Sequence, residues 1–148
     1  MWNLKKVIYI DRRVEEVHQF ATNPKLWYQW YAGLSEAENL LGTGGKGTSL
    51  DLKYSFLGRY LALHVLVEEN APVNDGYIWR CLISGAIDAT QTWSYLPAEE
   101  GTVVQFEMDY ELHGSVLGIV ANKFYVKKLM NNSVEQTLQN LKDISESD

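Results

Sequence analysis

From residue 49 onward, apolar and polar side chains alternate along the chain. Leu50, Leu52, Tyr54 and Phe56 are interleaved with Ser49, Asp51, Lys53 and Ser55, as in a strand with one buried and one wet face. Leu61, Leu63, Val65 and Val67 form a second set, and Ile87, Ala89, Trp93 and Tyr95 a third. Val104, Phe106, Met108, Tyr110 and Leu112 form a fourth, opposed by Gln105, Glu107, Asp109 and Glu111. The segment 76–85 is apolar on both faces. Turn residues at Gly42 to Gly47, Phe56-Leu57-Gly58, Asn74-Asp75-Gly76 and Pro97 to Gly101 separate the runs, which predicts a meander of antiparallel hairpins.

Helical signals flank this region. Residues 2–10 read as a first strand, after which Asp11 is a candidate N-cap for a short helix carrying Val14, Val17, His18 and Phe20. Asn23-Pro24 marks a second start, predicting a helix over 24–32 with Leu26, Trp27 and Trp30. Residues 115–144 return to a helical period: at 100° per residue, Val116, Ile119, Val126, Val134, Leu141 and Ile144 fall within about 40° of Met130. A helix of that length has roughly 40 Å to lay across a sheet. A straight rod cannot seal everywhere against a strongly twisted sheet, so a void between them is expected. The fold class that follows is α+β: a curved antiparallel sheet wrapped around a long C-terminal helix, with two short helices after the first strand.

A length of 148 residues suits a single domain over 1–148. Nineteen acidic against thirteen basic residues give a net charge of −6, which repels phosphate backbones and anionic surfaces and argues against nucleic acid as a partner. No apolar run is long enough to form an integral membrane segment, and the start Met1-Trp2-Asn3-Leu4-Lys5-Lys6 leads into an apolar stretch too short for a signal-peptide core. A cytoplasmic location is the expectation. Cys81 is the one cysteine and reads as a buried filler. Five Trp, nine Tyr and four Phe either fill a core or line a cavity for an apolar or aromatic molecule. Oligomeric state has no signature in the chain.

Several residues carry candidate chemistry. Gly42-Thr43-Gly44-Gly45-Lys46-Gly47 satisfies G-x-G-x-x-G, but a dinucleotide site needs a helix after the loop, and a strand is expected here. The glycines therefore read as hairpin geometry. Lys123 lies about 20° from Met130 on the helical count, inside the apolar stripe, where it either snorkels to the rim or offers a handle to a ligand. Gln91 shares the apolar register of Ala89 and Trp93, so its amide either orients a ligand group or bonds to protein. His18, His64 and His113 have no metal-ligand spacing, and no catalytic triad or close carboxylate pair is visible. No metal or other cofactor is expected.

The order strand, two short helices, six strands, long helix resembles the helix-grip fold of the START and Bet v 1-like superfamily, in particular its SRPBCC polyketide cyclase/dehydrase branch. Ile10 to Phe20, Thr22 to Trp30, Gly44-Gly45-Lys46-Gly47-Thr48 and Ser133 to Lys142 are similar to that family's strand-to-helix junction, second helix, glycine turn and grip helix. The resemblance implies a cavity for a lipid, sterol, polyketide, hormone or quinone, with only some members catalysing cyclisation or dehydration. Leu52, Tyr54, Leu63, Trp79, Gln91, Trp93, Phe106, Met108, Lys123 and Met130 are the candidate ligand-binding residues. The leading reading is a non-catalytic binder or carrier whose partner is a small hydrophobic molecule. The alternative is a cyclase/dehydrase-type enzyme in which Lys123, Gln91 or Tyr54 polarises a carbonyl or shuttles a proton, and a third is a protein-binding module with a vestigial cavity.

Overall fold

A computed structural model of the chain describes residues 1–114 and 123–147. Its strands are β1 (Trp2–Ile10), β2 (Glu38–Leu41), β3 (Ser49–Phe56), β4 (Arg59–Val73), β5 (Gly76–Gly85), β6 (Ile87–Ala98) and β7 (Gly101–Leu112). They form one seven-stranded sheet in the order β1-β7-β6-β5-β4-β3-β2, with every neighbouring pair antiparallel. The helices are α1 (Val14–Ala21), α2 (Trp27–Trp30) and α3 (Lys123–Glu146), with a 3-10 turn Pro24–Leu26 before α2. The architecture is a helix-grip α+β fold.

Period-two alternation fixes which face of each strand is covered. Leu50, Leu52, Tyr54 and Phe56 on β3 are all buried, as are Ile87, Ala89, Gln91, Trp93 and Tyr95 on β6. Cross-strand pairing keeps inward residues together: Leu52 opposes Leu63, Trp79 opposes Trp93, and Trp93 opposes Phe106. A register shift between Val67 and Glu69 interrupts β4, and an extra residue at such a point bends the strand and adds twist.

Helix α3 buries Val126, Met130, Val134, Thr137, Leu138 and Leu141, the stripe anticipated from the helical period with Leu138 added. Ile144 packs half-buried against the same core. Val116 and Ile119 lie outside the described residues. The C-terminal end of α3 is tied to the β1–α1 connection: Asp11 N donates to Glu146 Oε2 at 2.8 Å, Arg12 Nε to the Ser145 carbonyl at 2.6 Å, and Lys142 Nζ to the Tyr9 carbonyl at 2.8 Å.

Two expectations about the short helices are corrected. Asp11 caps nothing at α1, because the helix begins only at Val14, with Arg13 at its N-cap and no side-chain cap bond. Asn23 accepts from Lys25 N at 3.1 Å as foreseen, but it opens a 3-10 turn, and α2 ends at Trp30 rather than running to residue 32. The chain leaves α2 because Gly33, at φ +85°, turns it alongside β3, where Ser55 N bonds to the Gly33 carbonyl and Ser35 N to the Lys53 carbonyl.

The glycine loop serves geometry. Gly44 has φ +117°, and a Cβ there would collide with the Thr22 carbonyl oxygen. Its amide donates to Thr48 Oγ1 at 3.0 Å. A strand, β3, follows the loop.

Candidate functional site

Between the inner face of the sheet and the helices lies a cavity with about 60 Å³ open to the centres of water-sized molecules, within about 700 Å³ of interatomic space partly continuous with solvent. The sheet contributes Leu52, Tyr54, Leu63, Val65, Trp79, Cys81, Ile83, Ile87, Ala89, Gln91, Trp93, Tyr95 and Met108. Ala21, Trp27, Trp30, Tyr31 and Leu34 line it from the α1–α2 side, and Met130 from α3. Among the described residues that line it, none carries a charged side chain. A second groove of about 590 Å³ beside His18, Thr43 and Tyr77 is as polar as it is apolar, so the apolar cavity is the better ligand site.

Aromatic packing sets the cavity walls. Trp93 stands edge-on to Phe106 at 4.7 Å between ring centres and to Trp30 at 5.7 Å, and Trp27 meets Trp79 at 5.5 Å. Edge-to-face contacts of this kind hold rings in fixed orientations. Indole nitrogens are anchored as well: Trp27 Nε1 donates to the Ala21 carbonyl at 2.8 Å, Trp79 Nε1 to the Gly44 carbonyl at 3.1 Å, and Trp93 Nε1 to Gln91 Oε1 at 3.1 Å. The glycine loop thus buttresses the cavity wall through Trp79.

The polar atoms of the lining are largely paired with protein. Gln91 Nε2 donates to Tyr31 Oη at 2.9 Å and points at Met108 Sδ at 3.6 Å. Tyr54 Oη shares a hydrogen bond with Ser133 Oγ at 2.7 Å. Burial pushes the Cys81 thiol up to about 12 and raises the phenols of Tyr31, Tyr54 and Tyr95 above their ordinary value, because the dry surroundings disfavour the charged forms.

Eight of the ten candidate residues border this space: Leu52, Tyr54, Leu63, Trp79, Gln91, Trp93, Met108 and Met130. Phe106 is buried against Trp93 without bordering the cavity. Lys123 is exposed in the first described turn of α3, and the buried stripe begins one turn later at Val126. Its angular position left open a side chain snorkelling to the rim or a cavity handle, and its exposure goes against the handle. Cys81, Ile87, Ala89 and Tyr95 were also within reach of sequence reasoning, since they share registers with Trp79 and Trp93. Tyr31 and Leu34 were not, because they enter through the irregular chain after α2, whereas Trp30 was read as an apolar residue of the second helix without being placed at the cavity.

Among the described residues no cluster of three His, Cys, Asp or Glu side chains is placed to hold a metal ion. His18 pairs with Asn70 at 2.7 Å, His64 with Asp51 at 2.8 Å and His113 with Asp88 at 2.6 Å, so each belongs to a separate pair. No described helix is long and apolar enough to cross a membrane.

Sheet, gripped helix and the apolar space between them define a helix-grip, START-like protein. The family pattern for polyketide cyclase / dehydrase and lipid transport proteins matches residues 1–146, and the chain belongs to that family. Its fold is similar to a protein of Thermus thermophilus (TM-score 0.81, 22% identity, 97% of each chain covered). A START superfamily protein from Mycobacterium smegmatis gives a TM-score of 0.78 at 17% identity, over 97% of each chain. The di-domain ARO/CYC protein BexL from the BE-7585A biosynthetic pathway gives 0.68 at 15% identity, covering 99% of this chain and 50% of that one. At these identities the likeness carries the fold alone. No curated protein matches the sequence.

Proposed function

We propose that this protein is a non-catalytic binder or carrier of a small hydrophobic molecule, held between the sheet and α3. The observation that carries the reading is the chemistry of the lining: aromatic and aliphatic surface with no charged side chain, and titratable groups limited to phenols and a thiol whose pKa values burial raises. General acid–base catalysis near neutral pH favours a group that titrates near the working pH, and raised phenols and thiols move away from it. Leu52, Leu63, Trp79, Trp93, Met108 and Met130 then supply apolar contact, with Tyr54 and Gln91 fixed by their protein partners. On this reading the chain acts as one domain in the cytoplasm, without a cofactor.

A cyclase/dehydrase-type enzyme is the second reading, favoured by the family description and by the likeness to BexL. In it, the Tyr31–Gln91 pair would polarise a substrate carbonyl. Native mass spectrometry of protein purified from its host, followed by solvent release of what it carries, separates the two. A retained hydrophobic compound that is recovered unchanged after reloading supports the binder, and a product differing from the compound loaded supports the enzyme. A protein that carries nothing, and whose tryptophan emission shows no saturable response to apolar ring compounds, refutes both.

A further inference from the structure

We propose that the ligand is a neutral molecule with an apolar, ring-sized body and one accepting oxygen of carbonyl type, and that the indole Nε1–H of Trp30 is the donor to that oxygen. This rests on the cavity-binding reading above and narrows its ligand class.

Four tryptophans line the cavity. Three of them, Trp27, Trp79 and Trp93, have their indole nitrogens bonded to protein acceptors. Trp30 is only 3% exposed, and its Nε1 is buried without any hydrogen-bond partner. A buried donor with no acceptor is costly, and folded proteins rarely leave one idle.

The orphan is not a loosely held ring. The Trp30 carbonyl accepts from Asn140 Nδ2 at 3.1 Å, and Ala32 N donates to Thr137 Oγ1 at 3.0 Å, so α3 fixes the backbone on both sides of Tyr31. The ring stands edge-on to Trp93 at an interplanar angle of 86°. The backbone that carries the donor is therefore held before any ligand arrives, which lowers the entropy cost of using it.

The neighbouring polar groups reinforce the choice of an acceptor. Gln91 spends its Oε1 on Trp93 and its Nε2 on Tyr31 and Met108. Tyr31 Oη, accepting from Gln91, keeps its own proton available as a second donor. The one orphan of the lining is thus a donor, and what satisfies it from the cavity is an acceptor on the ligand. A carboxylate or an ammonium group would enter a lining without a counter-charge and lose its hydration uncompensated. That selects a ketone, quinone or ester-like oxygen over a fatty-acid carboxylate or an amine.

Three probes of matched size test this: acetophenone, ethylbenzene and benzoate. In the ¹⁵N-labelled parent protein at pH 7, acetophenone should shift the Trp30 indole N–H resonance downfield, while ethylbenzene should bind without that shift. Trp30→Phe should weaken acetophenone by about tenfold, the scale of one neutral hydrogen bond in a dry site, and leave ethylbenzene within about twofold of the parent. Benzoate should bind more weakly than acetophenone. If acetophenone binds with no indole shift and Trp30→Phe changes both neutral probes alike, the donor assignment is overturned while the cavity reading stands; that is also the outcome if Trp30 N–H is spent on the face of Trp93. Benzoate binding as tightly as acetophenone overturns the neutral class. Failure of all three probes to bind overturns the cavity reading itself. Should Trp30→Phe not fold, the resonance shift in the parent protein decides the matter alone.

Discussion

Adjacent glycines in the loop before β3 should respond oppositely to the same substitution. A Cβ at Gly44 would collide with the Thr22 carbonyl oxygen, at a φ of +117° that side-chain-bearing residues rarely adopt, whereas a Cβ at Gly45 meets nothing within 4 Å. For Gly44→Ala the backbone strain costs about 1–3 kcal/mol. Relieving the collision means moving the Gly44 carbonyl, which accepts from both Trp79 Nε1 and Asn70 Nδ2 at 3.1 Å. A buried indole left without its acceptor adds about 1–3 kcal/mol. The expected loss is therefore about 2–6 kcal/mol, a large fraction of the stability of an ordinary domain. Gly45→Ala should lie between no change and a gain of about 1 kcal/mol, through the reduced entropy of the unfolded chain. Urea unfolding followed by tryptophan fluorescence measures both. Trp79 lines the cavity, so Gly44→Ala should also weaken apolar probe binding at denaturant concentrations where the variant is still folded. A Gly44→Ala protein within about 1 kcal/mol of the parent would refute the packing argument. A Gly45→Ala protein as damaged as Gly44→Ala would mean that the loop has a role its packing does not explain.

Three further outcomes are expected. Glu99 is exposed at φ +54° in the turn between β6 and β7, so Glu99→Asn, a residue that tolerates the left-handed region, should stabilise by about 1 kcal/mol and raise Tm by a few degrees in calorimetry. Burial lowers the His18 imidazole below its ordinary 6.5, against the raising effect of its bond to Asn70. The unfolded chain therefore takes up this proton first as pH falls, so the His18 contribution is full above 6.5 and is lost on acidification towards the folded pKa; urea midpoints at pH 7.5 and 5 should fall less in His18→Gln than in the parent. Trp93→Phe should keep the fold and reduce energy transfer to an apolar fluorescent probe in the cavity, and unchanged transfer would place the probe elsewhere.

What the chain disclosed and what it withheld divide along a physical line. Period and register are properties of one element read along its own length, so the inward faces of β3, β6, β7 and α3 were legible residue by residue. Leu52, Tyr54, Trp93, Met108 and Met130 could be placed on the cavity side without coordinates for this reason. Relations between elements leave no such periodic trace. Lys123 shares the azimuth of Met130 but is exposed, one turn before Val126, the first buried residue of the described helix, and nothing in an azimuth measures distance along an axis. Asp11 has the chemistry of a cap, yet α1 begins at Val14 with Arg13 at its N-cap, so the carboxylate stands two residues too early, and cap chemistry alone does not fix where a helix starts.

The same line runs through the cavity itself. Its apolar lining was foreseeable because hydrophobic burial is not directional and needs only the right face. Its polar atoms depend on direction: Gln91 is satisfied only because Tyr31 reaches it from beyond α2, and Trp93 only because Gln91 turns its oxygen back along the same strand. Trp30 was legible as an apolar residue of the second helix, but its orphaned nitrogen becomes visible only when every neighbouring donor and acceptor has been matched. Specificity in such a site resides in the few polar atoms left over after the protein has paired its own, a remainder that depends on the whole fold.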